Sequence, residues 1–242
     1  MKKVSIITPN PEIIASVMQN SIVVKAKNNN IVDFEIINLR DYSDKKYKKV
    51  DDNPYGGGAG MVMMAEPLFK AIDDVLRKIN PDKNFKIIYP SPQGKTWDHS
   101  KALSFSSSNE NLIFICGHYK GIDERVVEKY VTDEYSLGDY VISNGELSTL
   151  VIIDSIVRLM PGVLNHIGSA QTDSFYNNLL DAPYYTNPRE LDGMKVPDVL
   201  LSGDHKKIKS WKNKNRKART MINRPDLWNR YINENKSEIR NE

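Results

Sequence analysis

Three glycine-marked segments could hold a ligand: two follow apolar stretches, and the third surrounds the short apolar stretch at residues 140–142. Their sequences are SPQG, CGHYKGIDER and SLGDYVISNGEL. In the third, Gly138 and Gly145 flank residues 140–142, which we predict to form a short strand, so the main chain can turn sharply or lie against a flat ligand. Loops at the carboxyl ends of parallel strands line the ligand crevice of an α/β sheet. Each segment alone would be an ordinary turn, but the three together predict one ligand site.

The other residues that could do chemistry form no known pattern. Cys116 ends an apolar stretch, which is typical of a small buried residue and not of a nucleophile. No Gly-x-Gly-x-x-Gly pattern follows the first strand, and PYGGGAGM lacks the Gly-Lys-Ser/Thr of a phosphate loop. A nicotinamide-dependent dehydrogenase and a nucleoside triphosphatase are therefore disfavoured. The histidines show no metal-ligand spacing and none is predicted to be catalytic: His99, His118, His166 and His205.

The composition is that of a globular protein. The chain has 242 residues, 40% of them hydrophobic, which suffices for one large domain or two modest ones. No run of about 18 apolar residues could span a bilayer, and the apolar stretch before Pro9 is too short for a signal peptide. The single cysteine excludes an internal disulfide and a multi-cysteine metal site, as is usual in a reducing compartment. We expect a cytoplasmic protein with no membrane partner.

Charge is unevenly distributed along the sequence. Residues 203–242 carry 12 Lys or Arg against 5 Asp or Glu, a net charge of +7. Because the whole chain is only +3, the residues before 203 carry −4. A solvated helical surface is the ordinary explanation of such a charge run, but Trp211, Trp228 and Tyr231 are interleaved with the basic residues, so a nucleic-acid partner is the second alternative.

The elements that must position the glycine-marked segments alternate between strand and helix. We predict strands at KKVSIITP, IVDFEIINL, FKIIYPSP and NLIFICG; the last two lack polar alternation, as in a parallel sheet covered on both faces. We predict helices from Glu12 to about Lys27 and at EPLFKAIDDVLRKIN, DHSKALSFSS and ELSTLVIIDSIVRLM. This order indicates an α/β domain that ends near Leu164.

The composition and the hydrophobic periodicity of the sequence change after Leu164. The stretch NHIGSAQTDSFYNN is polar and has no period, so we expect an exposed linker over residues 165–176. Prolines then mark a loop-rich connection, and basic helices are predicted from Gly203 onward with Ser202 as the N-cap of the first.

Seven motifs occur along the chain: VDDNPYGGGAGMVM, YPSPQGK, CGHYKGIDERV, EYSLGDYVISNGEL, DSIVRLMPGVL, DSF with LLDAPYYT, and VPDVLLSGDH. In sequence and order they closely resemble those of the TrmD family, the bacterial tRNA (guanine-N1)-methyltransferases of the SPOUT superfamily. The resemblance implies an S-adenosylmethionine-dependent enzyme that methylates N1 of the guanosine 3′-adjacent to the anticodon of tRNA.

The resemblance also implies an architecture. Members have an α/β fold with a SPOUT-type parallel sheet and a deep trefoil knot, plus a small helical C-terminal domain. They work as homodimers with the active site at the subunit interface. On this pattern, residues 1–164 form the knotted cofactor-binding domain, residues 165–176 a flexible linker, and residues 177–242 a helical, basic, tRNA-binding domain. Candidate tRNA contacts in the basic segment are Lys206, Lys207, Lys209, Lys212, Arg216 and Arg219.

By resemblance, ten residues hold the adenosine and methionine parts of the cofactor: Tyr89, Pro92, Gly117, Gly121, Ser136, Leu137, Gly138, Tyr140, Ile142 and Gly145. Two more match catalytic positions. Guanine N1 carries a proton at neutral pH, so its attack on a methyl group needs a general base, and charge developing on O6 needs a cation or donor. Asp173 matches the proposed base and Arg158 the residue that assists the guanine. From the residues alone they would be a linker or helix-capping aspartate and a surface arginine.

Two features depart from the family pattern. Lys120 stands where members commonly have Glu, a carboxylate considered for Mg²⁺ together with those matching Asp173 and Asp181. A protonated lysine cannot ligate Mg²⁺, so any metal site is depleted or displaced. In SNGEL, Asn144 replaces a glycine and Ser148 a proline; we expect Asn144 to keep a left-handed turn. These departures leave two alternatives open: a tRNA-binding protein of the same fold with impaired catalysis, and a methyltransferase of another RNA base.

Overall fold

The computed structural model describes residues 1–19, 22–79, 84–164 and 173–235. The chain divides into two compact units, Met1–Asn165 and His166–Glu242. Within the described residues, no helix is both long and apolar enough to cross a membrane.

A five-stranded parallel sheet forms the centre of the first unit. Its strands stand in the order β2-β1-β6-β5-β7, and each neighbouring pair is parallel. The strands are β1 (Lys2–Thr8), β2 (Val32–Asn38), β5 (Phe85–Thr96), β6 (Asn111–Ile115) and β7 (Asp133–Ser136). A separate antiparallel pair joins β3 (Asp51–Asp52) and β4 (Val62–Met63).

Both faces of this sheet are covered, which explains the apolar runs in the strands. Ile6 and Phe114 lie in a core on one face, whereas Ile7 and Ile115 lie in a second core on the other. The first core is closed by α1 (Pro11–Met18), α2 (Ile22–Asn28), α4 (His99–Ser107) and α6 (Gly145–Val157), and the second by α3 (Ala65–Lys78) and α5 (Glu124–Tyr130). Successive residues of a strand point to opposite faces, so a strand buried on both sides must be apolar throughout.

Three predicted elements of the first unit are wrong in detail. Two helices, α1 and α2, replace the single helix expected from Glu12 to Lys27. The predicted strand at residues 140–142 is an exposed loop in which Val141 is 89% exposed. The strand that leads into the third glycine-marked segment is β7 instead. Sequence periodicity misses it because only two of its residues, Tyr135 and Ser136, are buried. The SPQG segment does not follow β5 but interrupts it, as a register shift between Pro90 and Lys95 against β7.

The described part of the second unit, residues 173–235, contains a 3-10 turn at Tyr176–Asn178, a short hairpin and three α-helices. Its elements are β8 (Glu190–Leu191), β9 (Met194–Lys195), α7 (Asp198–Leu201), α8 (His205–Asn223) and α9 (Pro225–Glu234). Thr220 is buried; its hydroxyl accepts from the main-chain N–H of Leu180 at 2.8 Å and donates to the carbonyl of Arg216 at 2.7 Å. This side chain therefore ties the segment before the hairpin to α8.

Ser202 does not cap the first basic helix. The N-cap of α8 is Asp204, whose carboxylate accepts from the main-chain N–H groups of Lys206 at 3.0 Å and Lys207 at 3.1 Å. Ser202 instead follows α7, and its hydroxyl accepts from the N–H of Asp204 at 3.2 Å. A carboxylate suits this position because it also complements the positive end of the helix dipole.

Only the end of the expected linker at residues 165–176 falls in the described part of the chain, because residues 165–172 lie outside it. Residues 173–176 are not extended. The N–H of Phe175 donates to the carbonyl of Leu179 at 2.8 Å, and the N–H of Asp181 donates to the Ser174 hydroxyl at 2.9 Å. This stretch is therefore part of the folded second unit.

Candidate functional site

The irregular middle of β5 at residues 89–92 and the loops that follow β6 and β7 surround one cavity of about 330 Å³. This volume is in the range, roughly 300 to 1,000 Å³, of small-molecule sites. All ten residues expected to hold a cofactor line it: Tyr89, Pro92, Gly117, Gly121, Ser136, Leu137, Gly138, Tyr140, Ile142 and Gly145. The structure thus brings the three glycine-marked segments together, although the third follows β7 and not a strand at residues 140–142.

Glycine is required at residue 145, the first residue of α6, because it packs directly against the loop that follows β6. The N–H of Gly145 donates to the carbonyl of Gly117 at 2.8 Å. A Cβ atom added to Gly145 would lie 2.4 Å from the main-chain nitrogen of Gly117, which cannot move aside without disrupting the loop. Any side chain at Gly145 would therefore separate the two walls of the cavity.

The two departures near α6 have structural roles. Asn144 is the N-cap of α6, and its side-chain oxygen accepts from the N–H of Leu147 at 3.2 Å. Its φ of −156° is extended, so the expected left-handed turn at Asn144 is wrong and the residue is an ordinary helix cap. Ser148 lines the cavity, and its hydroxyl donates to the carbonyl of Gly145 at 2.9 Å.

Tyr89 forms a wall of the cavity directly opposite Gly117. A Cβ atom on Gly117 would lie 2.8 Å from Cε2 of the Tyr89 ring. Burial raises the pKa of the Tyr89 phenol, so it is neutral at physiological pH. The ring therefore offers an apolar face and a neutral polar tip to a ligand.

A buried carboxylate that the sequence did not reveal holds the cavity loops together. The side chain of Glu146 is fully buried in the first turn of α6, and its carboxylate lies 2.7 Å from Nε2 of His118. The Thr8 hydroxyl, at the carboxyl end of β1, also donates to this carboxylate. Glu146 thus connects β1, the loop after β6 and α6. Only the tertiary structure brings Thr8 and His118 to Glu146, because they are distant in sequence.

Other cavity-lining residues are neighbours of those predicted. They are Pro90, Ser91, His118, Tyr119, Lys120, Tyr135, Val141, Ser143, Asn144 and Ser148. Their signal in the sequence was position within or directly beside the same three segments, since their residue types are not distinctive.

The two residues expected to be catalytic lie in different units. Arg158 ends α6 in the first unit, where its N–H donates to the carbonyl of Asp154 at 3.0 Å. Asp173 lies in the second unit, and neither side chain is among the residues that line the cavity. The hydrogen bond from Tyr184 to Asp181 at 2.6 Å, then burial and the charge of Asp181, raise the pKa of Tyr184 to about 12, and the charge of Asp173 contributes less.

The donors present do not fit a magnesium site in the described part of the chain. Within it, no group of three or more His, Cys, Asp or Glu side chains is placed to hold a metal ion. The Asp181 carboxylate is occupied by Tyr184 and by the N–H of Ala182 at 2.6 Å. Lys120 brings a positive charge to the cavity where a magnesium ligand was considered.

Most of the basic residues expected to contact tRNA are accessible on α8. Lys206, Lys207, Lys209 and Arg219 are exposed, and the ammonium of Lys212 lies 5.4 Å from the centre of the Tyr184 ring. Arg216 differs, because its guanidinium donates to the carbonyls of Leu180 at 3.3 Å and Tyr176 at 3.4 Å. Its charge serves the fold of the second unit, which argues against a phosphate contact.

A parallel sheet that gathers main chain and tyrosine rings around a cavity at its carboxyl edge defines a ligand-binding α/β protein. Residues 1–230 match the family model described as tRNA (guanine-1)-methyltransferase TrmD. A tRNA (guanine-N(1)-)-methyltransferase from Bacillus pumilus (strain SAFR-032) is 48% identical over 225 residues, 93% of this chain and 91% of the relative. Those from Bacillus cereus (strain AH820) and Bacillus anthracis (strain CDC 684 / NRRL 3495) are each 46% identical over the same shares. The chain belongs to the TrmD family of methyltransferases, which confirms the family predicted from the motifs.

Proposed function

We propose that this enzyme transfers a methyl group from S-adenosylmethionine to N1 of the guanosine 3′-adjacent to the tRNA anticodon. The observation that carries the proposal is the cavity itself. In a chain that matches the TrmD family over residues 1–230, all ten residues expected to hold the cofactor line one cavity. We further propose that the three cavity segments are the loops of a SPOUT-type trefoil knot.

The cavity has the chemistry that an adenosine ligand requires. Tyr89, Leu137 and Ile142 line the cavity and would provide apolar cover for the faces of a base, and the glycine loops at Gly117 and Gly138 bring main chain to the same cavity. Gly121 and Gly138 have φ values of +131° and +149°, which side chains rarely adopt. These glycines permit close approach of main chain to a ligand.

The proposed mechanism is a direct displacement. S-adenosylmethionine supplies an electrophilic methyl group on a sulfonium sulfur. Guanine N1 forms the new bond to the methyl carbon while the carbon–sulfur bond breaks and its electron pair goes to sulfur. Asp173 accepts the N1 proton on its carboxylate, and the Arg158 guanidinium stabilises negative charge on O6. We propose that Asp173 reaches the guanine only when tRNA is bound. No step needs Mg²⁺.

We also propose that the enzyme is a cytoplasmic homodimer with its active site completed at the subunit interface. Apolar side chains are exposed beside the cavity and along α6: Val141 is 89% exposed, Val151 52% and Leu147 46%. Contiguous exposed apolar residues on a soluble domain mark an interaction surface. In the second unit, exposed lysines of α8 bind tRNA phosphates.

The proposal is tested by transfer of labelled methyl groups to unmodified tRNA transcripts. A transcript with guanosine after the anticodon should be methylated, and one with adenosine there should not. Binding of tRNA and cofactor without transfer would indicate the impaired binding protein. Equal methylation of both transcripts would indicate a methyltransferase of another base.

A further inference from the structure

Lys120 is the one permanently charged side chain among the described residues that line the cavity. The other lining residues are glycine, proline, tyrosine, serine, asparagine and aliphatic residues, together with His118, which is bonded to the buried Glu146 carboxylate. No ion pair engages the Lys120 ammonium within the described part of the chain. Its charge is therefore available to a ligand.

The main chain fixes the turn that carries Lys120. The N–H of Gly121 donates to the carbonyl of His118 at 3.0 Å, which closes the turn. Two further bonds attach the turn to the segment at β4: Lys120 donates from its N–H to the carbonyl of Met61 at 3.0 Å, and Met63 donates to the carbonyl of Gly121 at 3.0 Å.

Contact with Gly60 also guides the side chain. A Cβ atom on Gly60 would lie 3.0 Å from Cγ and 3.2 Å from Cε of Lys120. The lysine stem therefore lies along bare main chain, which limits the directions that the ammonium can take. Restricting a long side chain before binding reduces the entropy lost when a ligand is held.

We propose that Lys120 binds the carboxylate at the amino-acid end of the methyl donor. This inference rests on the proposed use of S-adenosylmethionine. That ligand ends in one carboxylate and one ammonium, and a cavity lined by a single lysine cation favours the first and repels the second. Lys120 thus determines which end group faces the turn at residues 118–121, and it selects ligands that carry a carboxylate.

The test is a binding cycle by calorimetry on the full-length protein. Two ligands are compared: S-adenosylhomocysteine and its decarboxylated analogue, which keeps the amine and the neutral sulfur. Two variants are compared with wild type: Lys120→Met keeps the stem that packs on Gly60 but loses the charge, and Lys120→Arg keeps a charge. Lys27→Met removes an exposed lysine that does not line the cavity and serves as the matched control.

We expect Lys120→Met to weaken binding of S-adenosylhomocysteine by about fivefold, because an exposed charge pair contributes up to about 1 kcal/mol. The decarboxylated analogue should bind Lys120→Met as well as wild type or more tightly. Lys120→Arg should keep most of the wild-type affinity for S-adenosylhomocysteine, and Lys27→Met should bind both ligands as wild type does. The difference in affinity between wild type and Lys120→Met should shrink with added salt.

Two outcomes would overturn the inference while leaving the proposed function intact. One is that Lys120→Met weakens the binding of both ligands equally, which would mean that Lys120 shapes the cavity without recognising the carboxylate. The other is unchanged affinity of Lys120→Met for S-adenosylhomocysteine. If wild type bound neither ligand, the proposed cofactor itself would be wrong.

Discussion

Among single residues, Asp173 matters most to the proposed mechanism, because it is the proposed general base. Asp173→Asn preserves size and hydrogen bonding but cannot accept the guanine N1 proton. It should lower the single-turnover rate of methyl transfer by roughly 10² to 10⁴, since this is the usual contribution of a general base. Affinities for cofactor and tRNA should change little. The assay needs excess enzyme, so that product release does not hide the chemistry.

Asp192→Asn is a matched control for this variant. Asp192 lies in the same unit, is exposed, and has a φ of +49°, which asparagine also tolerates. Its rate should equal that of wild type. A near wild-type rate for Asp173→Asn, with the wild-type pH profile, would show that the base lies elsewhere, and Asp181 would be examined next.

Lys2 gives the first unit a testable pH dependence. Its ammonium donates to the Phe105 carbonyl and, at 3.2 Å, to the Ser108 hydroxyl. Burial lowers the pKa of Lys2 from 10.5 to about 8. Between these values the unfolded chain binds more protons, so the free energy of unfolding should rise with pH. Lys2→Met should remove up to about 3 kcal/mol of this rise, measured by denaturant unfolding across that range. Identical slopes in both proteins would contradict the assignment.

Site residues can be predicted from sequence where they belong to a continuous motif or where a sharp turn of the main chain requires glycine. Gly117, Gly138 and Gly145 were identifiable because their segments have a distinctive sequence. The Glu146 carboxylate was not, because its partners Thr8 and His118 come from other elements. Asn144 was assigned the wrong conformation, since the motif does not reveal that the residue caps a helix.

At the scale of elements, α8 carries the predicted tRNA contacts. The triple variant Lys206→Gln, Lys207→Gln and Lys209→Gln should weaken tRNA binding and flatten its salt dependence. Each lost phosphate contact lowers the slope of log K against log salt by roughly 0.7 to 0.9. The helix should persist, because the Asp204 cap bonds to the main-chain N–H groups of Lys206 and Lys207 remain, and only the exposed ion pair between Lys207 and Asp204 at 3.5 Å is lost.

The control for this variant removes the same charge from the first unit. Lys27→Gln, Lys46→Gln and Lys129→Gln together change exposed lysines outside the basic segment. Fluorescence titrations of tRNA at several salt concentrations should show the wild-type slope for the control. If the α8 variant also kept that slope, α8 would be merely a solvated surface.

The elements themselves differ in how well sequence predicts them. The strands β1 and β6 were clear because both sheet faces are covered and their residues are apolar. The strand β7 was misplaced, because half of it is polar and only Tyr135 and Ser136 are buried. Register shifts such as that between Pro90 and Lys95 leave no periodic signal, since they depend on contacts with β7.

At the scale of the whole molecule, the proposed homodimer can be tested through α6. Val151→Glu places a charge on an exposed apolar face and should weaken dimerisation by at least tenfold, because an unpaired charge is costly to bury. Sedimentation equilibrium measures the change. Leu103→Glu, on an exposed position of α4, is the control and should remain dimeric. A monomeric wild type at micromolar concentration would contradict the proposal.

The central claim is the identity of the methylated atom, and nucleoside analysis tests it directly. Wild-type enzyme is incubated with S-adenosylmethionine and unmodified tRNA, and the digested product is separated and compared with methylated nucleoside standards. We expect N1-methylguanosine as the product, located next to the anticodon on its 3′ side. A different methylated nucleoside, or none despite binding of cofactor and tRNA, would contradict it.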